Sequence, residues 1–200
     1  MKEFLIFRTD RVGDFLFSLL LIKTIKINFP NSRITLISSE KNHLYAKTFK
    51  SIEKIILLRN DFISKLKIIF RLRSNKYDAI IIHDGKNRSK FISYFLKAKL
   101  KITCVTNLID TQIDIIKKVC DKTRMKFDEK SLNFLDERKY PSLKIPFDNY
   151  IHLHFDEKWI YKDYINKYIN IEPSKEELIN FISRIISKNK KLIITTGKKV

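Results

Sequence analysis

A chain of 200 residues, 44% hydrophobic and 12% aromatic, carries enough apolar material for a sizeable core, and its three glycines and four prolines exclude a collagen-like or low-complexity chain. Its 41 Lys+Arg against 22 Asp+Glu, a formal net charge of +19, favour anionic partners: nucleic acid, acidic head groups or phosphorylated sugars. Lysine, isoleucine and asparagine recur along the whole chain, so the same excess also reads as compositional bias without a binding patch.

The predicted elements follow in chain order. Residues 4–7 (FLIF) form an apolar run expected of a strand buried on both faces. Residues 14–28 read as a helix that is apolar nearly all round, stopped by Pro30 and Asn31. Strands are expected over 34–37, 54–58, 78–83 and 101–105, with a short helix over 43–49. Residues 63–73 form a basic amphipathic helix, and 88–96 and 109–119 are helical. This alternation predicts an α/β fold, a doubly wound parallel sheet with helices on both faces.

Residues 128–147 are charged, contain Pro141 and Pro146, and read as a linker. The rhythm then restarts with a strand over 150–154, a helix over 159–168, a second helix opened by a Ser174/Glu177 capping box, and a strand over 192–196. One βαβ unit cannot cover both faces of its strands. The expected organisation is therefore a Rossmann-like domain over 1–127, a linker over 128–147, and the start of a second Rossmann-like domain over 148–200.

Cys104 and Cys120 match no metal spacing and read as reduced thiols. No targeting pattern follows Met1, and the strongest apolar stretch, 15–22, is far short of the roughly 20 residues that span a bilayer. These features predict a cytoplasmic protein, soluble or held at a membrane surface. His43, His152 and His154 have no ligand spacing that predicts a metal.

The segment richest in chemistry is residues 7–16, FRTDRVGDFL, at the carboxyl end of the first strand. That edge of an open α/β sheet is where ligands bind. Gly13 permits a sharp turn or a close ligand approach. Asp14, at the helix start, suits an N-cap, the commoner role for such an aspartate, or a catalytic carboxylate. Neither the dinucleotide fingerprint nor the P-loop pattern is present. Asp84 and Lys86 end the fourth strand at the same edge. There Asp84-Gly85 reads as a turn that could line the cleft.

The stretch Ile6-Phe7-Arg8-Thr9-Asp10-Arg11-Val12-Gly13-Asp14, followed by Ser18-Leu19 and by residues 30–36 (PNSRITL), resembles the opening of glycosyltransferase family 9, the ADP-heptose:lipopolysaccharide heptosyltransferase family. The family pattern is a strand, an R-x-D-R-[LIV]-G-D loop, an apolar helix and a P-[NG]-A-x-I turn. The resemblance implies a GT-B architecture, with 1–127 as the acceptor side and 148–200 as an incomplete donor side. It implies an inverting, metal-independent sugar transferase without a cofactor. The donor would be a nucleotide-sugar, ADP-heptose being the family's usual one, and the acceptor a glycolipid of lipopolysaccharide type. Asp14 would be the catalytic base, and Thr9, Arg11 and Gly13 would line the substrate loop. Lys158, in the stretch 152–159 (HLHFDEKW), would meet the donor diphosphate. There His154-Phe155 replace the family's small residues, and a surface lysine beside a core tryptophan is the competing reading.

A basic face at Lys65, Lys67, Arg71 and Arg73 would suit the acidic inner leaflet that holds such an acceptor. Two alternatives remain: a member that binds acceptor without turnover, and a basic nucleic-acid module. The second lacks interleaved aromatics and any nucleic-acid motif, so no nucleic-acid partner is expected.

Overall fold

The computed structural model describes residues 1–105, 110–137, 149–155, 174–188 and 191–196. They divide into two compact units, Met1–Pro141 and Ser142–Val200. The first unit holds β1 (Glu3–Arg8), α1 (Val12–Asn28), β2 (Arg33–Ser38), α2 (His43–Ala46), β3 (Lys54–Leu57), α3 (Phe62–Leu72), β4 (Lys76–Ile82), α4 (Asn87–Tyr94), β5 (Lys97–Thr103), α5 (Gln112–Thr123) and a 3₁₀ segment (Glu129–Glu137). The strands form one sheet in the order β3-β2-β1-β4-β5, and every pairing is parallel. The strand order reverses between β1 and β4, which is the topological switch point of a doubly wound sheet.

The alternation of side chains along β1 explains why the run 4–7 is apolar throughout. Phe4 and Ile6 enter one core with α1, α5, Phe49 and Ile52, while Leu5 and Phe7 enter the other with α3 and α4. Each such fully buried side chain contributes about 1.5–3 kcal/mol. α1 is buried on most sides, as its composition predicts. Its first turn is pinned by Phe15, which is fully buried and meets Tyr45 and Phe49 edge-on at ring distances of 6.1 and 5.8 Å.

Three expectations need adjusting. The β5 strand begins at Lys97 rather than Lys101, because exposed Lys97, Lys99 and Lys101 alternate with inward Ala98, Leu100 and Ile102 on an edge strand. α5 starts at Gln112, where a Thr111/Asp114 capping box satisfies its first turn. Asp14 is not the N-cap of α1. That position is Arg11, whose side chain makes no capping bond, and Asp14 is the third helical residue. The front of the expected linker over 128–147 also carries structure: Phe134 packs on the α1 core, as does Phe127 just before the linker, and Ser131 is fully buried.

In the second unit, β6 (Tyr150–Phe155) pairs in parallel with β7 (Lys191–Thr196), and α6 (Lys175–Ser187) opens with the Ser174/Glu177 capping box read from the sequence. The expected helix over 159–168 and Lys158 lie outside the described residues. Among those residues, no helix is long and apolar enough to cross a membrane.

Candidate active site

The loop after β1 is organised by a buried guanidinium. Arg8 ends the strand with its side chain only 6% exposed. Its Nε donates to the backbone oxygen of Asp14 at 2.9 Å, and its Nη1 to that of His83 at 2.7 Å. One side chain thereby ties the first turn of α1 to the end of β4 across the switch point. The carboxylates of Asp10 and Asp14 stand 3.7 and 4.0 Å from it. Burial pushes the Arg8 pKa below its ordinary value, opposed by the charges of Asp10, Asp14 and Asp84.

Asp14 itself is half exposed, at 51% of its side-chain surface. Its place in the first turn of a 17-residue helix suits a carboxylate. Gly13 has ordinary helical backbone, and an added Cβ there would meet nothing within 4 Å. The turn therefore does not require glycine, and the open space beside it is consistent with a ligand passing close to the backbone.

Thr9 and Asp84 form a closed network. Asp84 Oδ2 accepts from Thr9 N at 3.2 Å, Thr9 Oγ1 at 2.5 Å and Ser89 Oγ at 2.8 Å, while Oδ1 accepts from Lys86 N at 3.1 Å. Arg88 donates through Nη2 to both Thr9 O and Thr9 Oγ1 at 2.7 Å. Thr9 is buried, and its hydroxyl is occupied on both sides. Lys86 pairs with Asp10, and Arg11 is exposed at the mouth of the loop. Asn42 Nδ2 donates to Arg8 O at 2.8 Å, which holds the loop from the β2 side. The turn after Asp84 requires glycine. Gly85 has φ +61°, and a Cβ there would stand 2.7 Å from Cys104 O.

Two depressions meet at Asp10 and Asp14. One, of about 870 Å³, is lined by Thr9, Arg11, Ser39, Asn60, Lys86 and Arg88 among others. The other, of about 410 Å³, runs along the ends of β4 and β5 to the start of α5 and includes Arg8, His83, Asp84, Lys90 and Gln112. His83 is buried. Its Nδ1 lies 2.7 Å from Ser18 Oγ, and burial, with Arg8 nearby, lowers its pKa to about 3, so the ring is neutral at physiological pH.

Sequence reasoning placed Asp14, Thr9, Arg11, Gly13 and Asp84 at one edge, and the structure brings them to one loop cluster. It did not single out Arg8, Arg88, His83 or Gln112. Arg8 had a signal, as the first charged residue after an apolar strand; the other three are united only by the fold. Cys104 and Cys120 are free and buried, and burial raises both thiols to about 11. His152 and His154 both reach Thr195 Oγ1, at 2.8 and 2.9 Å.

No protein-family profile matches the chain, and no curated protein matches it. Solved structures do. The E. coli heptosyltransferase WaaC with ADP superposes with a TM-score of 0.69 at 12% identity, covering 98% of this chain and 68% of that one. The glycosyl transferase family 9 structure from Veillonella parvula gives 0.57 at 13% identity, over 99% and 70%. E. coli ADP-heptose lps heptosyltransferase II gives 0.57 at 12% identity, over 97% and 64%. The chain thus spans about two thirds of the length of these proteins. At such identities the likeness is one of fold, and the fold is α/β with Rossmann-like units of the GT-B class.

Proposed function

We propose that this chain carries the acceptor side of an inverting glycosyltransferase, with Asp14 as the general base. The observation that carries the reading is the placement of Asp14. It is a half-exposed carboxylate at the sheet's carboxyl edge, next to the switch point, where two depressions meet and where buried Arg8 fixes the backbone beneath it. Fold likeness supports the chemistry, since WaaC is described with ADP and with ADP-2-deoxy-2-fluoro heptose.

In this mechanism an acceptor hydroxyl gives its proton to Asp14 as its oxygen attacks the anomeric carbon of a nucleotide-sugar. The bond to the nucleotide diphosphate breaks on the opposite face, so the configuration inverts. The negative charge that develops on the leaving diphosphate would be met by Lys158 and helix N-termini, without a metal. The proposed donor is ADP-heptose and the proposed acceptor a lipopolysaccharide-type glycolipid.

Transfer of heptose to heptose-free lipopolysaccharide, followed by mass spectrometry, tests the reading. Asp14→Asn should lower kcat about a thousandfold with circular dichroism unchanged, and wild-type transfer should persist in EDTA. Full activity of Asp14→Asn would remove the base from Asp14.

A glycolipid acceptor places the protein at the inner face of the cytoplasmic membrane, and the outer surface of α3 and α4 suits that place. Phe62, Ile63 and Phe70 on α3, and Phe91 and Tyr94 on α4, are exposed, with Phe95 just beyond. Neither helix contains an acidic residue, and Lys67, Arg71 and Lys90 are exposed among the aromatics. Sedimentation with vesicles should require anionic lipid and weaken as salt rises. Equal binding to neutral vesicles would rule this surface out as an electrostatic contact.

A further inference from the structure

Read along the chain, His152 and His154 are two histidines without a third ligand. The fold gives them a common point. β6 carries both, two residues apart and therefore on one face of the strand, and Thr195 stands opposite His154 on the paired strand β7. His152 Nε2 lies 2.8 Å from Thr195 Oγ1, and His154 Nδ1 lies 2.9 Å from the same oxygen. All three residues are exposed, so a solute reaches them without disturbing a core.

One hydroxyl cannot answer both rings in the same way. It has a single hydrogen to donate, so it satisfies the lone pair of only one of the two nitrogens. The other ring must carry its proton on the nitrogen that faces the oxygen. A cation at the same point takes a lone pair from both rings at once, and each ring then keeps its proton on its other nitrogen. Each facing nitrogen has to close by only about 0.7–0.8 Å to reach a zinc–nitrogen bond of roughly 2.1 Å.

The donor atoms select the class of cation. Imidazole nitrogen suits zinc, copper and nickel, whereas magnesium and calcium take oxygen ligands. Among the described residues no third histidine, cysteine or carboxylate completes a cluster with the pair, so water fills the remaining positions of a bound ion. We infer that His152 Nε2 and His154 Nδ1 form a two-histidine chelate, open to water, for one late first-row divalent cation of the zinc class. The chelate is independent of the transferase reading above, in which no metal takes part.

The test uses the full chain with ¹⁵N-labelled histidine, titrated with Zn²⁺ alone. Competing ligands are poor: His83 is buried, and Cys104 and Cys120 are buried thiols raised to about 11. Zn²⁺ should shift His152 Nε2 and His154 Nδ1 together and saturably, at one equivalent, with the proton of each ring held on the opposite nitrogen. His43, in the first unit, should stay in place, and Mg²⁺ should shift neither ring of the pair. His154→Gln should weaken Zn²⁺ binding at least about tenfold, a loss at the low end even for groups that only support a metal ligand. The side chain replaced is exposed, so the circular dichroism of the variant should match the wild type. Shifts that stay absent up to about 1 mM Zn²⁺, the weak end of the affinity scale, would overturn the chelate. So would separate titration of the two rings, or unchanged affinity in His154→Gln.

Discussion

The two depressions beside Asp14 differ in how their polar groups are used. On the larger side, Thr9 bonds to both Arg88 and Asp84, and Asp10 pairs with Lys86. On the smaller side, His83 and Gln112 each end in an atom with no protein partner among the described residues. The first arrangement is a brace that ties the loop after β1 to the end of β4 and the start of α4, and the second leaves two buried atoms unpaired. If Asp14 is the base proposed above, the brace beside it matters, since small displacements of a reacting group cost large factors in rate.

The contrast is most sharply broken at Asp84. If it belongs to the brace, Asp84→Ala strips a partner from Thr9, Lys86 and Ser89 and should cost about 3 kcal/mol in urea denaturation. If it served only a ligand, stability would stay level while binding fell.

A smaller effect is expected from pH. The His83 pKa is about 3 when folded against 6.5 for a free histidine, so the unfolded chain takes up the proton first. This stabilisation is complete above pH 6.5 and is lost as pH falls from 6.5 toward 3, at up to about 1.4 kcal/mol per pH unit. His43, also lowered by burial, adds to the same slope, whereas the lowered carboxylates of Asp78, Asp114 and Glu177 lose their contribution only below the ordinary carboxylate values of 3.8 and 4.5. Urea midpoints between pH 7.5 and 5 should fall in the wild type and flatten in His83→Asn.

The smallest expected effect on stability is at Gly13. An alanine there has room and helical backbone, so Gly13→Ala should raise stability by about 0.5–1 kcal/mol. If the sugar passes over this backbone, transfer should fall in the same variant; unchanged kcat/KM would place the substrate elsewhere.

Much of this was legible in the sequence, for physical reasons. Strands buried on both faces write themselves as unbroken apolar runs, so residues 4–7 and 79–82 were plain. The Ser174/Glu177 capping box was read directly, but its counterpart at Thr111/Asp114 has an aspartate in place of the usual glutamate or glutamine, and α5 was started too early. β5 was begun too late because its lysines alternate on an exposed edge. Asp14 was found by its place in a motif, yet its capping role fails because Arg11 occupies the position before the helix. The unpaired Nε2 of His83 and Oε1 of Gln112 had no trace in the sequence, since an unpaired atom becomes visible only when every neighbour is in place.

The central position of β1 has a consequence for how the protein is made. The strand pairs at once with β2, but its other edge waits for β4, and the bond from Glu3 N to Asp78 already spans 75 positions. At an emergence rate of about 5–20 residues per second, Leu5 and Phe7 would spend several seconds on a nascent chain beside an unpaired strand edge. Parallel pairings of this range are intrinsically slow to form. The loop that leads into Asp14 therefore reaches its final form only after β4 has docked and presented the carbonyl of His83 to Arg8.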